Sequence, residues 1–232
     1  KYYPACPNHH NRDRFVMCSG HASALLYASL YSYGFDYSLQ DIKDYRTKNS
    51  KTPGHPSANA LLGVDASGGP LGQGIPMAVG MAIAGKLDNK DYTVYALLGD
   101  GEIQEGQVWE AAMLAGHRKL DNLVVIVDNN GLQIDGSVEE VCSPYPIDKK
   151  FEAFNFHVIN VDGHDFDALD AAFKEAKATK GQPTAIIAKT IKGKNVSFME
   201  NQVSWHGVAP NEEQYAQAMQ ELEEVGEALC QM

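Results

Sequence analysis

Long hydrophobic runs are missing from this sequence. No uninterrupted apolar stretch is longer than five residues, the length of Leu123-Val124-Val125-Ile126-Val127, against the ~20 that a bilayer-spanning helix needs. No membrane partner is therefore expected. Basic runs are equally scarce: Lys and Arg never occur more than two together, and 19 basic against 30 acidic side chains leave a formal charge of −11. A chain so acidic is a poor match for a nucleic-acid backbone. Cysteines number four, Cys6, Cys18, Cys142 and Cys230, without Cys-x-x-Cys spacing. A disulfide framework is not expected at this size, and a reducing cytoplasm is the expected setting. Cys6, His9 and His10 do not match zinc-site spacings and read as a polar loop. The opening residues carry no signal-peptide pattern.

What is present reads as a single α/β domain over 1–232, a length that can bury a substantial core. Helical spacing of small and apolar residues runs over 20–33, with Gly34 as C-terminal cap. Ser38 and Asp41 form a relative of the capping box before a short helix over 39–45. Residues 47–74 are rich in breakers and predict a long ordered loop of the kind that carries function. Beyond it, helices over 78–86, 103–119 and 166–179 alternate with strands over 92–98, 122–128, 156–161 and 184–190. That alternation predicts a mostly parallel sheet with helices on both faces, and a last helix covers 214–229.

The chemistry concentrates at Gly99-Asp100-Gly101-Glu102, where a strand ends and a helix opens. In an open α/β sheet the ligand crevice lies beyond the carboxyl ends of the strands. Glycines there allow close approach of the backbone, and helical N–H groups suit an anion. Asp100 would repel that anion unless a divalent cation sat between them. The next strand ends in Asp128-Asn129-Asn130-Gly131, so a neighbouring parallel strand brings Asn130 to the same edge. One carboxylate, one amide oxygen, a backbone carbonyl and phosphate oxygens make a hard, octahedral Mg²⁺ site. Of the eight histidines, His21, His55 and His206 lie in loops or at a helix start, where a ring is easily aimed at a ligand. His117 and His164 are assigned to structure or solvent, and His9 and His10 stay unassigned. Glu105 and Glu110, five apart on the helix after Gly101, read on a free surface as a solvated face.

Gly99-Asp100-Gly101 through Asn129-Asn130 resembles the thiamine diphosphate fingerprint, and the remainder resembles transketolase. The supporting motifs are Ser19-Gly20-His21, Thr52-Pro53-Gly54-His55-Pro56, Gly69-Pro70-Leu71-Gly72-Gln73-Gly74, Asp135-Gly136 and Trp205-His206-Gly207. They run in collinear order over nearly the whole chain. The resemblance implies the thiamine-diphosphate-binding fold, with Asp100, Asn130 and the carbonyl of Leu132 on Mg²⁺ (Ca²⁺ or Mn²⁺ as substitutes). It places Gly101 and Glu102 by the diphosphate, and Gly69, Pro70, Leu71 and Ile134 around the cofactor rings. His21, His55 and His206 would face cofactor and donor sugar, His55, His206 and Glu105 being the catalytic candidates, and Glu105 and Glu110 would lie in a subunit contact as the alternative to a solvated face.

The same resemblance implies what must come from elsewhere. The carboxylate that activates the pyrimidine sits in a second domain, and an earlier helix with a serine-glycine-histidine-proline run would precede Lys1. The expectation is the N-terminal subunit of a split transketolase, paired with a C-terminal subunit carrying the pyrimidine-binding domain in an α2β2 assembly. It would act on sugar phosphates in the pentose phosphate pathway. A fragment of a longer enzyme, another thiamine enzyme subunit (deoxyxylulose-phosphate synthase-like or 2-oxo acid dehydrogenase α-like) and a non-catalytic cofactor-binding subunit remain as alternatives.

Overall fold

The computed structural model describes residues 1–58 and 61–230. A five-stranded, all-parallel sheet forms the centre, built from β1 (Arg14–Met17), β2 (Val94–Gly99), β3 (Leu123–Asn129), β6 (His157–Asp162) and β7 (Thr184–Lys189) in the order β1-β2-β3-β7-β6. A two-residue hairpin, β4 (Leu132–Gln133) with β5 (Gly136–Ser137), follows β3. The helices are α1 (Ser23–Ser32), α2 (Leu39–Lys43), α3 (Gly74–Leu87), α4 (Gly106–His117), α5 (Val138–Cys142), α6 (Ile147–Ala153), α7 (Phe166–Ala178) and α8 (Glu212–Cys230).

The period of two along the strands divides the core between two faces. Leu123, Val125 and Val127 of β3 join Val94, Ala96 and Leu98 of β2 on the face covered by α3, α4 and α6. Val124 and Ile126 point the other way, against Ala172, Phe173 and Ala176 of α7. On that second face α1 adds its own cluster of Leu26, Tyr27 and Leu30 around Met17. Burial on both faces is why these strands read as continuous apolar runs.

Most of the expected elements stand within two residues of their predicted ends, and the Ser38–Asp41 capping box is complete. Three differences have physical causes. Helix α3 begins at Gly74, four residues early, because Pro76 in the first turn has no intrahelical bond to lose. The helix expected over 103–119 is broken: residues Glu102–Gln104 form a 3₁₀ turn, Glu105 is extended (φ −68°, ψ 129°), and α4 starts at Gly106. Gly106 is a poor helix former placed where a continuous helix would have had to hold. Strand β1 escaped the periodic pattern because it has only four residues, opening on Arg14. The short α5 and α6 were likewise not expected.

Candidate functional site

The carboxyl ends of four strands converge on one cavity of about 640 Å³. β2 runs into Asp100, β3 into Asp128 and Asn130, β1 into Ser19 and His21, and β7 into Lys192. The parallel register pairs Gly99 with Asp128, which brings Asp100 and Asn130 to one edge as the sequence suggested. The backbone N–H groups of Gly101 and Gly131 both donate to the Asp100 carboxylate, the first at 2.8 Å. Gly131 can do so because it adopts φ +80°, where a side chain would be strained. Asp100 is only 1% exposed. That burial outweighs the two hydrogen bonds and pushes its carboxyl up to about 6.

Asn130 accepts from Leu132 N through Oδ1 at 2.9 Å and donates through Nδ2 to Asp128 at 2.9 Å. Its amide oxygen is thereby aimed by both neighbours, with a second lone pair left to offer. Among the described residues no three His, Cys, Asp or Glu side chains converge into a ready-made metal cage. The donor set is instead one carboxylate, one amide oxygen and nearby carbonyls. Such a set fits a hard cation that takes its remaining ligands from phosphate oxygens and water.

The opposite chemistry lies a few residues along. His21 and His206 lie side by side with ring centroids 5.2 Å apart and the rings tilted by 34°. Burial lowers both imidazoles below their usual range, and the Lys192 charge lowers both further. The Nδ1 of His206 is buried with no hydrogen-bond partner among the described residues, an orphan that a ligand atom would satisfy. Close approach of glycines holds this wall: a Cβ on Gly20 would sit 2.4 Å from the backbone N of Gly69. Of the sequence-predicted residues, His21, Gly69, Leu71, Asp100, Gly101, Glu102, Glu105, Asn130, Leu132, Ile134 and His206 line the cavity. His55 and Pro70 do not line it. His55 is exposed and stands behind Gly69, its ring 3.8 Å from where a Cβ on Gly69 would lie, and Pro70 is exposed in the same loop.

Glu102 occupies a different position from a simple ligand contact. It is 3% exposed, and its carboxylate accepts from Ser19 Oγ (2.7 Å), Gly72 N (2.9 Å) and Gly99 N (3.3 Å). One side chain thus ties β1, the glycine-rich loop and β2 together at the cavity floor. Glu102→Ala is expected to destabilise the chain by about 2 kcal/mol, with cavity water replacing part of the lost bonding. Denaturant unfolding measures this, and a loss below about 0.5 kcal/mol would remove the role. Lys192 was not singled out in the sequence. The available signal was its place three residues past β7, at the same sheet edge as Asp100.

Comparison with known proteins agrees with this geometry. The family model for the transketolase thiamine diphosphate binding domain matches residues 1–225. The 6-deoxy-6-sulfo-D-fructose transketolase subunit SqwG of Clostridium sp. (strain MSTE9) is 39% identical, the match covering 97% of this chain and 82% of that protein. An apulose-4-phosphate transketolase subunit from Phocaeicola vulgatus is also 39% identical, covering 97% and 79%. The transketolase of Bacillus subtilis (strain 168) is 45% identical, but the match spans only 30% of its length. A crystal structure of transketolase from Campylobacter jejuni superposes with a TM-score of 0.91 at 41% identity, covering 95% of this chain and 35% of that one.

Proposed function

Since the chain belongs to the transketolase thiamine diphosphate binding domain family, we propose that it is the diphosphate-binding subunit of a two-part transketolase. The reaction would move a two-carbon ketol unit from a ketose phosphate to an aldose phosphate. Asp100, Asn130 and the carbonyl of Leu132 hold Mg²⁺, which Ca²⁺ or Mn²⁺ can replace, and Gly101 lets the backbone approach the diphosphate. When bound, thiamine diphosphate supplies the nucleophilic carbon that carries the two-carbon unit. His21 and His206 enter as neutral donors, able to hydrogen-bond phosphate or sugar oxygens without carrying charge at neutral pH. The unpartnered Nδ1 gives His206 an atom at which a proton is held or taken up. His55 approaches the donor sugar from behind Gly69. Leu71, Ile134 and the Gly69–Pro70 backbone pack the cofactor rings, while Glu102 keeps that loop in place.

The pyrimidine-binding half comes from a companion subunit. In support, the chain spans about four fifths of the two relatives named as subunits, and about a third of those named simply transketolase. Met113 (60% exposed) and Leu114 (42%) on α4 and Met77 (37%) on α3 are exposed apolar side chains of two helices that pack together, and they offer contact surface. Glu105 and Glu110 are both exposed nearby on the chain, and within an α2β2 assembly they belong to that contact. The cytoplasm and the pentose phosphate pathway are the setting this reading assigns.

The observation that carries the reading is the pairing of Asp100 with Asn130 at adjacent strand ends, in the cavity that also holds the tilted His21–His206 pair. The test is reconstitution with the companion subunit, offering a ketose phosphate plus an aldose phosphate against pyruvate. Ketol transfer that requires both Mg²⁺ and thiamine diphosphate is expected. Turnover with pyruvate alone, or turnover independent of the cofactor, would sink the proposal.

A further inference from the structure

Helix α8 is held by polar contacts rather than by a buried face. Asn211 Oδ1 accepts from Gln214 N at 2.9 Å, and Gln214 Oε1 accepts from Asn211 N at 3.0 Å, a reciprocal cap that fixes where the helix starts. Halfway along, the Glu221 carboxylate accepts from the N–H and the hydroxyl of Ser197, each at 2.6 Å, and from Gln217 Nε2 at 2.8 Å. Of its 19 residues only Ala218 is buried. Helices in proteins draw most of their stability from a packed apolar face, and an isolated one of about this length is marginal in water.

A face suited to packing is nevertheless present. Tyr215, Met219, Leu222 and Leu229 are all exposed, and steps of 4, 3 and 7 residues set them in one stripe along the helix. Gly226 fills the missing step of that repeat and is exposed too. The half-buried side of α8, with Gln214, Ala218, Glu221 and Val225, is a different one.

Charge around the stripe has one sign. α8 carries six glutamates and no lysine or arginine. Helical spacing puts Glu212, Glu223 and Glu227, all exposed, along the solvent edge of the stripe. Glu223 and Glu227 are a like-charge pair one turn apart, and Glu227 stands in the last turn, where the helix dipole disfavours an anion. Cations facing this edge would relieve both penalties. A second copy would set glutamates against glutamates, and an anionic membrane surface would repel them as well. What fits is a protein surface with an apolar groove between lysine or arginine side chains. The Ser197 segment that Glu221 grips runs on through Trp205 to His206 in the cavity wall, so α8 is tied to the half-site that a companion must complete.

We propose that the exposed stripe of α8 docks this chain onto the pyrimidine-binding companion subunit, seated in an apolar groove rimmed by lysine or arginine. The inference rests on the two-subunit reading above. It adds a contact outside the cavity and on a different helix from Met113, Leu114 and Met77.

Calorimetric titration of the full chain with the companion subunit tests it. Leu222→Gln keeps a good helix former and is expected to weaken association about tenfold or more, with circular dichroism and thermal midpoint of the chain alone unchanged. The double variant Glu223→Lys/Glu227→Lys should weaken it by about three- to tenfold, and by less at high salt. Glu224→Lys makes the same kind of charge change on the opposite side of α8 and should stay within about twofold of the parent. Equal affinities in parent, Leu222→Gln and the double variant would overturn this inference alone, as would an equal loss in Glu224→Lys. Self-association of the chain that Leu222→Gln abolishes would assign the stripe to a second copy, and overturn it. A lower thermal midpoint of the Leu222→Gln chain alone would assign the stripe to this chain's own fold, with the same consequence. If the parent and the companion do not associate at all, the two-subunit reading falls and the docking surface with it.

Discussion

Asp100→Ala is expected to abolish Mg²⁺-dependent binding of thiamine diphosphate while leaving the fold intact. The carboxylate is held at the floor of the cavity with its charge desolvated, and only two backbone N–H groups compensate. A bound divalent ion would replace the missing stabilisation, which is why burial of this acid makes sense as a ligand and little sense as a structural element. Loss of a charged ligand should exceed the 10- to 100-fold effects typical of groups that only support a ligand, so a fall of at least about a hundredfold is expected. Alanine frees the N–H groups of Gly101 and Gly131 to meet cavity water, so far-ultraviolet circular dichroism should not change.

The pH profile of the parent carries a matching signature. The folded carboxyl titrates at about 6, above the ordinary aspartate value of 3.8. The folded chain therefore holds this proton more tightly than the unfolded one. Asp100's contribution to metal-free stability is fully present below about pH 4 and is lost as the pH rises through about 6. Metal binding runs the other way, because the ion needs the ionised form: apparent Mg²⁺ affinity should fall about tenfold per unit below pH 6. Thermal unfolding of the metal-free chain between pH 3 and 8 measures the first effect, and fluorescence titrations of cofactor with and without chelator between pH 5 and 8 measure the second. Affinity that is unchanged in Asp100→Ala would place the metal elsewhere.

How much of this could be read from the residues differs from one part to the next. Asp100 and Asn130 were legible because each follows a strand whose apolar run announces itself, and parallel pairing does the rest. The His21–His206 pairing was not: 185 positions separate them, and only the return of the chain after β7 brings the rings together. Lys192 depends on the same return. Glu102 stands beside the fingerprint, so it read as a ligand contact, whereas its three hydrogen-bond partners come from segments 3, 30 and 83 positions away. The unbroken helix over 103–119 failed for a related reason, since the kink at Glu105 belongs to the packing of that residue against Gly72. Pattern finds elements and their ends; contacts between distant segments are set by shape.

Shape also decides the second large effect. Gly116→Ala is expected to destabilise the chain by about 3 kcal/mol or more, against the ordinary rule that alanine in place of helical glycine stabilises by about 1 kcal/mol. Gly116 lies in the last turn of α4, which packs against the residues that end α6. A Cβ there would fall 1.8 Å from the carbonyl oxygen of Phe154, and that oxygen is backbone, unable to swing aside. Either α4 moves outward or residues 154 and 155 shift, and both routes disturb the Trp109, Phe151 and Phe154 aromatic cluster. Gly80, exposed in α3, is the control, since a Cβ there meets nothing within 4 Å. Gly80→Ala should therefore stabilise by about 0.5–1 kcal/mol. The two substitutions are chemically identical and both lie in helices, so opposite signs would isolate the steric contact from helix propensity. Thermal unfolding of the metal-free chain should show Gly116→Ala lower by roughly 10 °C and Gly80→Ala slightly higher. A Gly116→Ala midpoint at or above that of the parent would mean that α4 does not lie this close to Phe154.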